Sequence, residues 1–138
     1  MRLRLAIGAL AFVGTGISAY LTAAHYAHTT PICTSGGCAI VQRSEWATLG
    51  PAPVALLGLL AFLAVLASAA LGHRLVALGG YGVSVAAAIF AVYLVAVQTR
   101  ELHAVCVWCV VSDAIWLLLA VLAATRVLRN NDLSGVST

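Results

Sequence analysis

Four apolar blocks, each about twenty residues or longer, leave this chain few folds to choose from. They run from about Leu3 to Tyr26, Pro51 to Leu71, Leu75 to Val97 and Leu102 to Leu128. A helix rises 1.5 Å per residue, so each block is long enough to cross a hydrocarbon layer of about 30 Å. With 138 residues, 63% hydrophobic and 8% charged, and a mean hydropathy of +1.08, the chain lies outside the range of soluble globular domains. The expectation is an all-α membrane protein of one domain, residues 1–138, built as an antiparallel bundle of four transmembrane helices. The first block could instead be a secretory signal peptide, but it exceeds a typical h-region and no small-x-small cleavage site stands near its end.

The basic residues give this bundle a direction. All seven are arginines, and basic residues in short loops stay preferentially on the cytoplasmic side. Arg2, Arg4, Arg74, Arg126 and Arg129 fall at one end of the blocks, and Arg43 and Arg100 at the other. Both termini are then expected in the cytoplasm, in a multi-pass protein of the cell (inner) membrane. No basic run exists, so nucleic acid is not an expected partner; membrane lipid is.

Between the first two blocks, residues 27–50 turn polar and form the outer loop. Pro31 and the Gly36-Gly37 pair break regular structure there and are expected to leave the segment from Cys33 to Cys38 flexible. Ala39 to Ala47 has the composition of a short interfacial helix, with Trp46 as its membrane anchor. Pro51 and Pro53 suit the first turn of the second span. The pairs Gly14/Ser18 and Gly80/Ser84 offer small-residue faces for close helix contact. Beyond Arg129, residues 130–138 look like a disordered tail.

The chemistry resides in four cysteines, all on the exported side by this topology, where disulfides form and persist. Cys106 and Cys109 make a Cys-x-x-Cys at the start of the fourth span. The first sulfur of such a pair meets unpaired amides and the positive end of the helix dipole, so Cys106 is the expected exchanging thiol. Cys109, one turn deeper, faces the bundle and is placed to pass electrons to something dissolved in the membrane. Cys33 and Cys38 can pair with each other or reach Cys106, as a shuttle or as a static loop disulfide. A zinc site built from the four cysteines, with His25, His28 or His103 as substitutes, remains an alternative reading.

Asp113 is the one carboxylic acid inside a span and lies four residues after Cys109, on the same helical face. Intramembrane acids tend to face cavities or proton paths, and reducing a quinone to a quinol consumes two protons, so Asp113 is a candidate proton donor. The bland reading is a shallow, hydrated acid. Ser44, near the loop pair, either supports the relay or caps a turn.

Taken together, the loop pair, Ser44 six residues after Cys38, Trp46 two residues later, Gly50-Pro51-Ala52-Pro53 opening the second span and the Cys-x-x-Cys opening the fourth resemble the vitamin K epoxide reductase family. The resemblance covers Leu5 to Arg129. It implies a four-helix bundle enclosing a quinone, menaquinone or ubiquinone, beside Cys109, Asp113 and the Pro53-Val54-Ala55 region. It implies Cys33 and Cys38 as the loop shuttle, Cys106 and Cys109 as the quinone-side pair and Ser44 as the hydroxyl of the short loop helix. In bacterial relatives the implied direction is oxidative, with a thioredoxin-like (DsbA-type) exported protein as electron donor. No metal is implied. The vertebrate enzymes carry an Asn near the start of the second helix and a Tyr four residues after the last cysteine. Here those places read Val54 and its neighbours and Asp113, which points to ordinary membrane quinones. The alternatives are a quinone or vitamin K epoxide reductase, or a metal-binding or structural membrane protein.

Overall fold

A computed structural model describes residues 2–29, 31–32 and 37–136, with side chains through Arg129. Its elements in chain order are α1 (Arg2–Tyr26), α2 (Gly37–Arg43), a short 3-10 turn (Glu45–Ala47), β1 (Thr48–Leu49), β2 (Ala52–Pro53), α3 (Val54–Ala70), α4 (Arg74–Arg100) and α5 (Val107–Val136). The four long helices close a ring in which α1 packs on α3, α3 on α4, α4 on α5 and α5 on α1. Three of them, α1, α4 and the part of α5 from Val107 to Arg129, are long and apolar enough to cross a membrane. Large hydrophobic side chains such as Leu5, Phe12, Ile89 and Val121 are exposed around the ring, as a lipid-facing surface requires.

Helix α3 is the shorter fourth member, with 17 residues, which gives about 25 Å of rise. Its last carbonyls are therefore in need of partners if that end lies below the headgroups. Two arginines supply them. Arg4 of α1 donates from Nε to Ala69 O at 2.9 Å and from Nη2 to Ala70 O at 2.8 Å. Arg126 of α5 donates to Ser68 O at 3.0 Å and to Leu71 O at 3.2 Å. Cations at a helix C-terminus also meet the negative end of its dipole. The charge asymmetry of the sequence thus has a packing role: Arg4 and Arg126 tie three helices together at the end where Arg74 opens α4, and Arg43 and Arg100 close α2 and α4 at the cysteine end.

The interior is centred on Phe62, fully buried and stacked on Trp116 with ring centroids 4.0 Å apart. Gly14 makes room for this pair, since a Cβ there would overlap the Phe62 ring. The small pairs found in the sequence are interior: Gly14, Ser18, Gly80 and Ser84 are all buried helix-contact residues.

Three local expectations need correction. Pro51 and Pro53 precede the helix: both sit in the β1–β2 hairpin, Thr48 pairs with Pro53, and Pro53 is extended (φ −68°, ψ 144°) at the position before α3. Gly50, with φ +65°, supplies the left-handed turn that this hairpin needs. The expected interfacial helix is split, because α2 ends at Arg43 and Ser44 is extended. At the other end of the chain the α5 backbone stays helical through Val136. A disordered terminus was expected from residue 130, but no proline interrupts the helix there.

Candidate active site

The connection from α4 to α5 is built around Gln98, which is buried in the last turn of α4. Its backbone carbonyl accepts from the Ala104 N–H at 3.1 Å, and its side-chain carbonyl accepts from the Cys106 N–H at 2.9 Å. His103, in left-handed backbone (φ 50°), turns the chain between these two bonds. Cys106 is thereby fixed as the residue immediately before α5, its carbonyl accepting the Val110 N–H at 3.0 Å. The sulfur occupies the place where a capping oxygen would stand.

That position decides its acidity. The Cys106 thiol, just ahead of the membrane-spanning part of α5, is lowered to about 6. The main cause is the hydrogen bond from the Cys109 side chain; burial opposes it, and the backbone N–H groups of Cys109 and Trp108 and the amide of Gln42 add to it. The shift favours the thiolate, the form that attacks a disulfide.

Helix α2 brings the loop chemistry to this sulfur. Cys38 and Cys106 are both fully buried and belong to one small cluster with Val41 and Ala104, flanked by Leu102, Trp108 and Cys109. Gly37 makes the approach possible: a Cβ there would run into the carbonyl oxygen of Val105, which is backbone and cannot swing aside. The glycine read in the sequence as a source of flexibility therefore serves close packing. Cys38 is disulfide-bonded, and Cys106 and Cys109 are free thiols. Cys33 and Gly36 lie outside the described residues.

The chain entering the loop is tied to the same place. Trp108, between the two cysteines of the pair, donates from Nε1 to Ile32 O at 2.6 Å, and the Ile32 N–H donates to the Tyr20 hydroxyl at 2.9 Å. The Tyr20 and Trp108 rings lie 5.3 Å apart.

On the other side of Cys109 is a cavity of about 410 Å³ between the four long helices and α2. Cys109, Asp113, Trp46 and Val54 all line it, whereas Cys106 does not. The walls are mostly apolar, from residues such as Ala55, Ala87 and Phe90; the polar groups include Gln42, Gln98, Ser112 and Asp113. Asp113 is 8% exposed, and its Oδ2 has no hydrogen-bond partner among the described residues. A buried acceptor or donor in that condition is expected to meet a ligand or water. Trp46 packs edge-on against Tyr93 of α4 at 6.3 Å, so the tryptophan expected at the headgroups forms part of the cavity wall. Ser44 stands apart: its hydroxyl donates to Val41 O at 2.7 Å, closing α2, and it does not line this cavity.

Cys38 and Cys106 thus share one buried cluster, and Cys109 stands between that cluster and an apolar cavity. The family model described as the vitamin K epoxide reductase family matches residues 5–124. The chain belongs to that family. Members of the vitamin K epoxide reductase family are membrane oxidoreductases that use quinones as redox partners, and the site fits that chemistry: an apolar chamber, a thiol at its wall and one unpartnered carboxyl oxygen. The two glutamines were not singled out in the sequence. Gln42 falls four residues after Cys38, hence on its helical face, and Gln98 lies in the last turn of α4, eight residues before Cys106; spacing to the cysteines is the signal that marks both.

Proposed function

We propose that this protein is a quinone-dependent thiol oxidase that supports disulfide formation outside the cytoplasm. The observation that carries this reading is the division between the two sulfurs of the pair, with Cys106 buried against Cys38 and Cys109 opening on the cavity beside Asp113.

In this scheme a reduced thioredoxin-like exported protein reduces the Cys33–Cys38 disulfide. Cys38 then attacks Cys106 in the Cys106–Cys109 disulfide; the bond between those two sulfurs breaks, and Cys109 keeps the electron pair at the cavity wall. Attack by Cys33 on Cys38 closes the loop disulfide again and frees Cys106 as a thiol. The observed state, with Cys38 in a disulfide and Cys106 and Cys109 reduced, corresponds to this stage. Menaquinone or ubiquinone supplies the final two-electron sink and takes up two protons. Asp113, four residues from Cys109, delivers a proton to an oxygen of the ligand, and the apolar walls keep water away from the exchange. The relay runs forward because each acceptor has the higher potential, with about 30 mV worth about 1.4 kcal/mol for a two-electron couple.

The membrane arrangement follows from the same reading. Helix α3 crosses with the three longer helices, both termini are cytoplasmic and all four cysteines are on the exported side of the cell membrane. Reconstitution with a reduced thioredoxin-like exported protein and quinone is expected to yield quinol without turnover of vitamin K epoxide. Consumption of the epoxide with quinone left unchanged would reverse the assignment. In the same assay Asp113→Asn is expected to slow quinol formation by about 100-fold or more with the bundle intact. An unchanged pH–rate profile in that variant would remove Asp113 from the proton path.

A further inference from the structure

Among the described residues, Gln42 is the polar side chain that links the loop helix to the deeper sulfur. Its Nε2 donates to Cys109 Sγ at 3.4 Å, and its side chain lines the cavity next to that sulfur. It stands one helical turn beyond Cys38 on α2, so the helix that carries the loop sulfur also carries the donor for Cys109. The position is held rigidly, since Gly37, Cys38 and Val41 are buried along α2.

We infer that the Gln42 amide sets the redox poise of the Cys106/Cys109 couple by hydrogen-bonding the Cys109 sulfur in its reduced form. The inference rests on the assignment of Cys106 and Cys109 as the redox pair. In the couple, two thiols lose two electrons and two protons as the Cys106–Cys109 bond forms; reduction reverses this, with the electron pair returning to the two sulfurs. A reduced sulfur is a better acceptor of an N–H bond than a sulfur whose electrons are shared in a disulfide. The amide therefore stabilises the reduced side and raises the reduction potential, which makes the pair a better oxidant of the loop cysteines. A neutral amide suits the place: it donates without bringing a charge into a low-dielectric wall, and it does not compete for the proton.

The size of the effect is that of one neutral hydrogen bond, about threefold to tenfold in the equilibrium constant. For a two-electron couple this is about 15 to 30 mV.

The experiment needs no quinone. Purified full-length protein in detergent is equilibrated with buffers of reduced and oxidised dithiothreitol, quenched with an alkylating reagent, and the Cys106–Cys109 disulfide is counted by mass spectrometry. Gln42→Leu is expected to make the couple more reducing by about threefold to tenfold. Gln42→Glu keeps the length of the side chain but turns an acceptor toward the sulfur, and is expected to shift it further in the same direction. Thermal unfolding of each variant is followed in parallel, because a purely structural role would lower stability without moving the potential. Potentials of Gln42→Leu and Gln42→Glu that stay within twofold of the wild type overturn the inference, as does a shift toward a more oxidising couple. Quinone reduction by the wild type, measured alongside with a short-chain benzoquinone, separates the two ideas: its failure removes the proposed function, while the potential shift stands or falls by itself.

Discussion

Replacing Cys109 with serine is expected to lower quinone reduction by at least about a thousandfold, because among the described residues no other sulfur lines the cavity. The upstream half of the relay should survive. Cys106 remains buried beside Cys38, and the Trp108 and Cys109 backbone N–H groups that favour its thiolate do not depend on the Cys109 side chain. The thiol bond from Cys109 is lost, so the Cys106 pKa rises partway back toward that of an ordinary thiol. Cys106 attacks Cys38, the Cys33–Cys38 bond breaks and Cys33 leaves as a thiolate; with no Cys109 to attack Cys106, only the return of Cys33 can release the mixed disulfide, which accumulates. Non-reducing peptide mapping should find Cys38 joined to Cys106, together with loss of quinol production. Quinone turnover retained in this variant would contradict the assignment of Cys109.

Gly37→Ala should break the relay at a different point. The added methyl meets the Val105 carbonyl oxygen, so either α2 or the segment leading into α5 must retreat. Overpacking of this kind costs about 1–3 kcal/mol. The functional loss is expected to be larger than the stability loss suggests, since a shift of about 1 Å between reacting groups can cost about 100-fold in rate. Cys106 and Cys109 lie three residues apart at the start of one helix, so their mutual geometry is unaffected. A pre-reduced Gly37→Ala protein should therefore give a normal burst of quinol, while steady turnover with the thioredoxin-like partner falls by about tenfold or more. Equal loss of burst and steady turnover would place the damage in the bundle rather than at the contact between α2 and Val105.

The helical scaffold was legible because apolar length and arginine placement are properties of whole segments. Four apolar blocks mark four helices, and the arginine asymmetry matches the ends at which Arg4 and Arg126 close α3. The cysteines were legible as a chemical type and spacing. Contacts between distant segments were less so. That Gly37 fits against Val105, or that Trp108 reaches Ile32, depends on how α2 docks, and residues 68 or more apart leave no periodic trace in a single sequence. Trp46 shows the same limit from another side: its contact with Tyr93 and its place in the cavity wall leave no mark in the spacing of the sequence. Ser44 was open between two roles; its hydroxyl makes no N-cap bond to the turn that follows and bonds back to Val41 O instead.

The most direct test of the relay is a single anaerobic addition of quinone to protein prepared with the loop pair oxidised and Cys106 and Cys109 reduced. The account predicts one quinol formed per protein and one new disulfide, between Cys106 and Cys109, with the loop disulfide unchanged. Recovery of the quinone unreduced, or of quinol with Cys106 and Cys109 still titrating as free thiols, would contradict it.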